Sequence, residues 1–142
     1  MLKALLDTNQ LVSSLLAPQG LQRRLIDAWR ERAFALLLAL GQVEEVADVL
    51  TRPKIAKKYR ITPGDGHAFL KLLRAEAILA PHEPAPGVCR DPDDDYVLGC
   101  AASGGAEYLV TGDNDLLAVS QYCDVVIVDA RAFLTVLSAQ HG

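Results

Sequence analysis

Four carboxylates crowd into "CRDPDDDYVLGCA", residues 89–101: Asp91, Asp93, Asp94 and Asp95. Part of this crowding has a local cause. Asp91 is a natural N-cap, Pro92 suits the first helical position, and Asp93 complements the positive end of the helix dipole. Counting about 100° per residue, Val97, Leu98 and Ala101 define the apolar face of the helix that follows. Asp94 falls near the centre of that face. A carboxylate aimed along a buried face needs a cation or donors, because burying it bare is costly. Asp94 is therefore the member of the cluster expected to do chemistry.

Other acids stand where short apolar runs end. "LKALLD" (2–7) ends at Asp7, and "AEYLVTGD" (106–113) ends at Asp113, with Asp115 two residues on. Glu44 and Glu45 open a helical stretch just after the run "AFALLLAL" (33–40). If these runs are strands of one parallel sheet, all the acids start from the same edge. Like charges about 4 Å apart repel by roughly 1 kcal/mol in water and about 4 at an effective dielectric near 20. Divalent cations reverse that sign. All-oxygen ligation without His or Cys suits Mg²⁺ or Mn²⁺ and disfavours Zn²⁺. Such clusters activate water and stabilise charge on a phosphoryl group, so phosphodiester hydrolysis is the expected reaction class.

The elements that must hold these acids follow from the apolar pattern. "LKALLD" is too short for a helix and is placed like a buried strand, with a turn at "DTN" behind it. Helical patterning runs from Leu11 to Arg32, broken at "APQG", and its second part carries Leu21, Leu25, Ile26 and Trp29. "AFALLLAL" reads as a second buried strand, and "QVEEVADVL" (42–50) as a helix with Val43, Val46, Ala47 and Leu50 on one face. Residues 51–77 hold two helical segments split near "ITPGDG" (61–66). "AILAPHE" (77–83) is a strand candidate and "PHEPAPG" (81–87) a proline-stiffened connection. After the aspartates come a helix through Ala102, the strands "AEYLVTGD" and "CDVVIVD" around a short helical "NDLLAVSQ", and a last helix from Ala130 to Ser138. Continuous apolar strands alternating with helices predict a three-layer α/β/α sandwich with a central parallel sheet, residues 1–142 forming one domain. Function in such folds gathers at the carboxyl ends of the strands.

Composition narrows the class. With 51% hydrophobic and 23% charged residues the chain is globular, and its longest apolar stretch, residues 34–40, is too short to span a bilayer. With no leader-like N-terminus, a cytoplasmic protein without membrane partners is expected. Cys89, Cys100 and Cys123 form no CxxC and are read as buried reduced thiols. His67, His82 and His141 lack ligand spacing, no serine sits in a GxSxG elbow, and no GxGxxG or P-loop lysine motif exists. The net charge of −4 hides an asymmetry: residues 1–74 hold 12 of the 14 Lys and Arg but 7 of the 18 acids. Within "RPKIAKKYR" (52–60), Arg52, Lys54, Lys57 and Lys58 suit phosphate contacts and Tyr59 suits base stacking; a solvated helix face is the alternative.

Taken in order, "LLDTNQLVSSLL", "EVADVLTRPKI", "CRDPDDDYVLGCA" and "YLVTGDNDLL" resemble the four acidic motifs of PIN-domain proteins, and most of all the bacterial and archaeal toxins related to VapC. The likeness runs from Leu2 to about Leu137. It implies a Rossmann-like fold and a Mg²⁺- or Mn²⁺-dependent ribonuclease, the toxin of a type II toxin-antitoxin system. Its catalytic acids fall on Asp7, Glu45, Asp94 and Asp113, its metal ligands on Asp7, Asp94, Asp113 and Asp115, and its supporting polar residues on Asn9 and Thr111. RNA, a cognate antitoxin and a second copy of the chain are the implied partners, and Leu21, Leu25 and Trp29 could supply the dimer contact. Gln10 stands where the family usually has an aliphatic residue. Two other classes stay open: a metal-dependent phosphatase or DNA nuclease, and a PIN-like binding or scaffold protein without catalysis.

Overall fold

The computed structural model describes residues 1–80 and 87–141, of His141 the backbone alone. In chain order the elements are β1 (Lys3–Leu6), α1 (Thr8–Leu16), α2 (Leu21–Arg30), β2 (Ala35–Ala39), α3 (Gln42–Leu50), α4 (Pro53–Lys58), α5 (Pro63–Glu76), β3 (Ile78–Ala80), α6 (Pro92–Ser103), β4 (Tyr108–Val110), α7 (Asn114–Val119), β5 (Gln121–Tyr122), β6 (Val125–Val128) and α8 (Ala130–His141). The strands form one sheet in the order β3-β2-β1-β4-β6-β5, parallel except for the short β5.

The apolar strands have no polar face because both faces are covered, as the sequence predicts. Successive side chains point to opposite faces. Ala4, Leu6, Leu36, Leu38 and Val110 join a core with α1, α2, α3, α5 and α8, centred on Trp29, Phe34 and Phe133, the two Phe rings meeting edge to face at 5.1 Å. Leu5, Leu37, Leu109 and Ile127 join the core under α6 and α7. The end of α6 lies so close to the sheet that a Cβ on Gly104 would stand 2.6 Å from the buried Leu37 side chain and 2.9 Å from the Cys100 carbonyl oxygen, and the backbone contact favours glycine there. These layers make the three-layer α/β/α sandwich.

The chain leaves β1 for β2 and β3 on one side, then returns to β4 and β6 on the other. The direction of winding therefore switches between β1 and β4, where a crevice opens past the strand ends. Asp7 and Asp113 follow those two strands.

Several local expectations are corrected. "DTN" is no separate turn, because Asp7 caps α1 and the helix starts at Thr8. Residues 51–77 do hold two helices, α4 and α5, parted at Tyr59–Thr62, and "PGDG" forms the first turn of the second, with Pro63 at its start and a capping box between Thr62 and Asp65. The antiparallel β5 escapes sequence reasoning because two residues carry no periodicity. Only Cys100 is buried; Cys89 is half-buried, and Cys123 is exposed beside the β5–β6 hairpin at φ 51°. Leu25 and Trp29 are spent inside the α2 core and cannot supply a dimer contact. "AILAPHE" is a strand over Ile78–Ala80. Its last three residues, His82 among them, most of "PHEPAPG" and the His141 side chain lie outside the described residues.

Candidate active site

Asp7 follows β1 directly, its N–H donating to the Val110 carbonyl of β4 at 3.1 Å. Its Oδ1 accepts from the Gln10 N–H at 3.1 Å, capping α1, and its Oδ2 accepts from the Thr111 hydroxyl. Thr111 is fully buried, and its Oγ1 also accepts from the Asp113 N–H at 3.0 Å. One hydroxyl thus ties together the ends of β1 and β4. Asp113 caps α7 through Oδ1, which accepts from the Asp115 and Leu116 N–H groups at 2.8 and 3.3 Å.

Across the crevice, the "DPDDD" cluster divides its work. Asp91 caps α6 by accepting from the Asp93 N–H at 2.8 Å. Asp95 accepts from the N–H groups of Gly87, Val88 and Cys89 at 2.9–3.1 Å, and those donors, Cys89 foremost, hold its carboxyl below the usual carboxylate range. Asp94 is half-buried, and its carboxylate has no hydrogen-bond partner among the described residues. Burial, then the charges of Asp113, Asp91, Asp7 and Asp115, push its pKa up to about 6. Asp7 is raised as well, by burial first and by Asp113 next, against the lowering bond from Thr111.

The third wall is α3. Glu45 accepts from the Thr8 hydroxyl at 2.7 Å, which holds α3 beside the start of α1. The anchor of α3 is Gln42, fully buried one turn earlier. Its Oε1 accepts from the Ala39 N–H at 2.7 Å and its Nε2 donates to the Leu6 carbonyl at 2.8 Å, so one amide joins β1, β2 and α3 just before Asp7. Gln42→Leu leaves both buried backbone groups unpaired. A loss of stability on the order of 3 kcal/mol is expected in urea unfolding, and an unchanged midpoint would refute the anchor.

Together these walls bound a cleft of about 590 Å³ whose lining includes Asp7, Asn9, Glu45, Arg52, Asp94 and Asp113, with Glu44, Asp48, Asp91 and Asp93 as further acids. Asp115 does not line it, although its charge reaches Asp94. Of the four cations read as RNA contacts, Arg52 lines the cleft, paired with Asp48 at 2.9 Å, whereas Lys54, Lys57 and Lys58 stand exposed on α4. Sequence reasoning misses Thr8 and Gln42. Thr8 falls inside the expected turn at "DTN", and Gln42 is by type an ordinary polar residue opening a helix.

The donor set fits a hard divalent cation: oxygen ligands only, no His or Cys among the described lining residues, and an unpartnered, half-buried carboxylate among like charges. Among the described residues, no three of these side chains stand close enough to form a finished metal site. The raised groups give a testable sign. Because Asp94 binds its proton more tightly folded than unfolded, its contribution to stability is full below pH about 3.8 and is lost as pH rises through about 6; Asp7 acts in the same direction. In chelator, the thermal midpoint should fall between pH 5 and 7, and Mn²⁺ should restore it most at pH 7. A flat profile in chelator would contradict the crowding.

Residues 3–115 match a family model described as "PIN domain". The chain is also 29% identical over 122 residues to an uncharacterized protein of Methanocaldococcus jannaschii, an alignment covering 83% of this chain and 75% of the relative.

Proposed function

This chain belongs to the PIN-domain family, whose members are typically nucleases that use divalent metals, and from that premise we propose that it is a metal-dependent endoribonuclease. The observation that carries the reading is Asp94: a half-buried carboxylate without a donor among the described residues, raised to about 6 by burial and the acids around it, in a cleft at the switch point of the sheet. Asp7, Asp94, Asp113 and Asp115 would hold Mg²⁺ or Mn²⁺, Asp115 from just outside the cleft lining. A bound divalent cation supplies a more acidic water and stabilisation of the charge developing on phosphorus.

The chain's own residues do the rest. Thr111 and the α1 cap fix the two oxygens of Asp7. Glu45, steadied by Thr8 at the rim, takes the proton of the attacking water, and Asn9 and Arg52 orient the strand. The water oxygen bonds to phosphorus, the bond from phosphorus to one ribose oxygen breaks, and that oxygen takes a proton from solvent. By its likeness to the VapC-related proteins, the chain serves as the toxin of a toxin-antitoxin pair, acting in the cytoplasm as a homodimer under control of a cognate antitoxin. Residues 1–142 act as one domain in this reading.

The test incubates the purified chain with labelled single-stranded RNA, duplex DNA and a phosphomonoester, in Mn²⁺, Mg²⁺ or chelator. Metal-dependent internal cleavage of RNA is expected. Cleavage of the DNA or the monoester instead would replace RNA as the substrate, and metal binding without any cleavage would favour a scaffold.

A further inference from the structure

A second cleft, of about 760 Å³, lies away from the carboxylates, between the later part of α1, α2, the end of α4 and α5. Its floor is apolar, with Ile61, Phe69 and Leu72. Its cations outnumber its acids: Arg30, Arg60 and Lys71 line it with Arg23, against Asp65. Arg23 pairs with Asp27, and Asp65 is committed to the Thr62 N–H at the start of α5. Three cations without an ion-pair partner among the described residues therefore rim an apolar floor, in a chain whose net charge is −4. Such a site suits a polyanion that also presents flat apolar surface.

We propose that this cleft holds unpaired bases of the RNA strand whose phosphate lies in the carboxylate cleft, an inference that rests on the nuclease reading. Continuity supports this occupant. Arg52 lines the carboxylate cleft; Lys54, Lys57 and Lys58 stand exposed along α4; Tyr59 and Arg60 line the second cleft. The cations thus run from one cleft to the other along a single short segment. Tyr59 is 40% exposed, with the Lys58 ammonium 5.3 Å from its ring centre, a surface on which a base can stack. A duplex hides its base faces, so an apolar floor selects single strands.

Arg60 offers a clean probe of the cleft. It follows the end of α4 at φ 54°, where the Ile61 N–H closes onto the Ala56 carbonyl at 2.9 Å. Glycine is the residue that such a left-handed helix end favours. An arginine there is less favoured than glycine by the backbone, as Arg32 is at φ 63° after α2, so replacing it by glycine removes the charge without straining the fold.

The test measures fluorescence anisotropy in chelator, so that no strand is cut, with a labelled 12-nucleotide single-stranded RNA and a 12-base-pair DNA duplex across a salt series. Arg60→Gly should weaken RNA binding about tenfold while the thermal midpoint holds or rises, a pair of effects that a structural role would not produce. Arg30→Ala with Lys71→Ala should lower the slope of log K against log salt by about 1.4, roughly 0.7 per lost phosphate contact. Variants that bind as the wild type does, while RNA is still cut in Mn²⁺, would overturn the cleft's role and leave the nuclease reading standing. A wild type that neither binds nor cuts RNA would overturn both. A DNA duplex bound as tightly as the single strand throughout the salt series would overturn the placing of unpaired bases on the apolar floor.

Discussion

Asp94→Asn should lower metal-dependent RNA cleavage by about 1,000-fold or more, some 4 kcal/mol of transition-state stabilisation, while Asp95→Asn one position along keeps the activity within about tenfold. The two side chains are adjacent and chemically identical, and their surroundings differ. Asp95 spends both oxygens on the backbone N–H groups of Gly87, Val88 and Cys89, so its loss loosens that loop and lowers stability without emptying the cleft of a carboxylate. Asp94 has no such donor and is crowded by Asp113, Asp91, Asp7 and Asp115. Asparagine keeps its volume and removes its charge. In chelator at pH 7, Asp94→Asn should therefore melt above the wild type, since one of the repelling carboxylates is gone. Cleavage rates and melting curves for the two variants decide the matter. If Asp95→Asn is the inactive one, or Asp94→Asn still cuts RNA at the wild-type rate, the assignment of the cleft is wrong.

This contrast also marks what the sequence could show. Angular spacing alone places Asp94 on the inner side of α6, because Val97, Leu98 and Ala101 fix that side. The parallel sheet is legible for a similar reason: short continuous apolar runs alternating with helical stretches have few other places to sit. What was not legible depends on contacts between distant segments. Thr8 and Glu45 are 37 positions apart, and Gln42 reaches Leu6 across 36; no periodicity announces either bond. The exclusion of Asp115 from the cleft is of the same kind. Its N–H, in the first turn of α7, serves the Asp113 cap, and its side chain is not among those that line the cleft. The second cleft is invisible in the sequence because it combines α1, α2 and α5 with Tyr59–Ile61 just after α4, segments that each account for one side of it.

Thr111→Val should reduce both Mn²⁺ affinity and RNA cleavage by about 10- to 100-fold, although Thr111 is buried and touches neither substrate nor metal. The hydroxyl gives its proton to Asp7 Oδ2 and accepts from the Asp113 N–H, so valine removes both bonds while keeping the shape. Asp7 is already raised by burial and by Asp113, and Thr111 supplies the largest opposing effect. Without it, Asp7 takes up its proton at higher pH, and a protonated Asp7 is a poor ligand. The loss should therefore shrink as pH rises, a dependence that a merely loosened fold would not give. Thr111→Ser, which keeps the oxygen, should restore most of the affinity. Calorimetric Mn²⁺ titrations of both variants at pH 6 and 8 would measure this. Equal affinity for valine and threonine at both values would mean that Asp7 needs no help from β4 to serve the site.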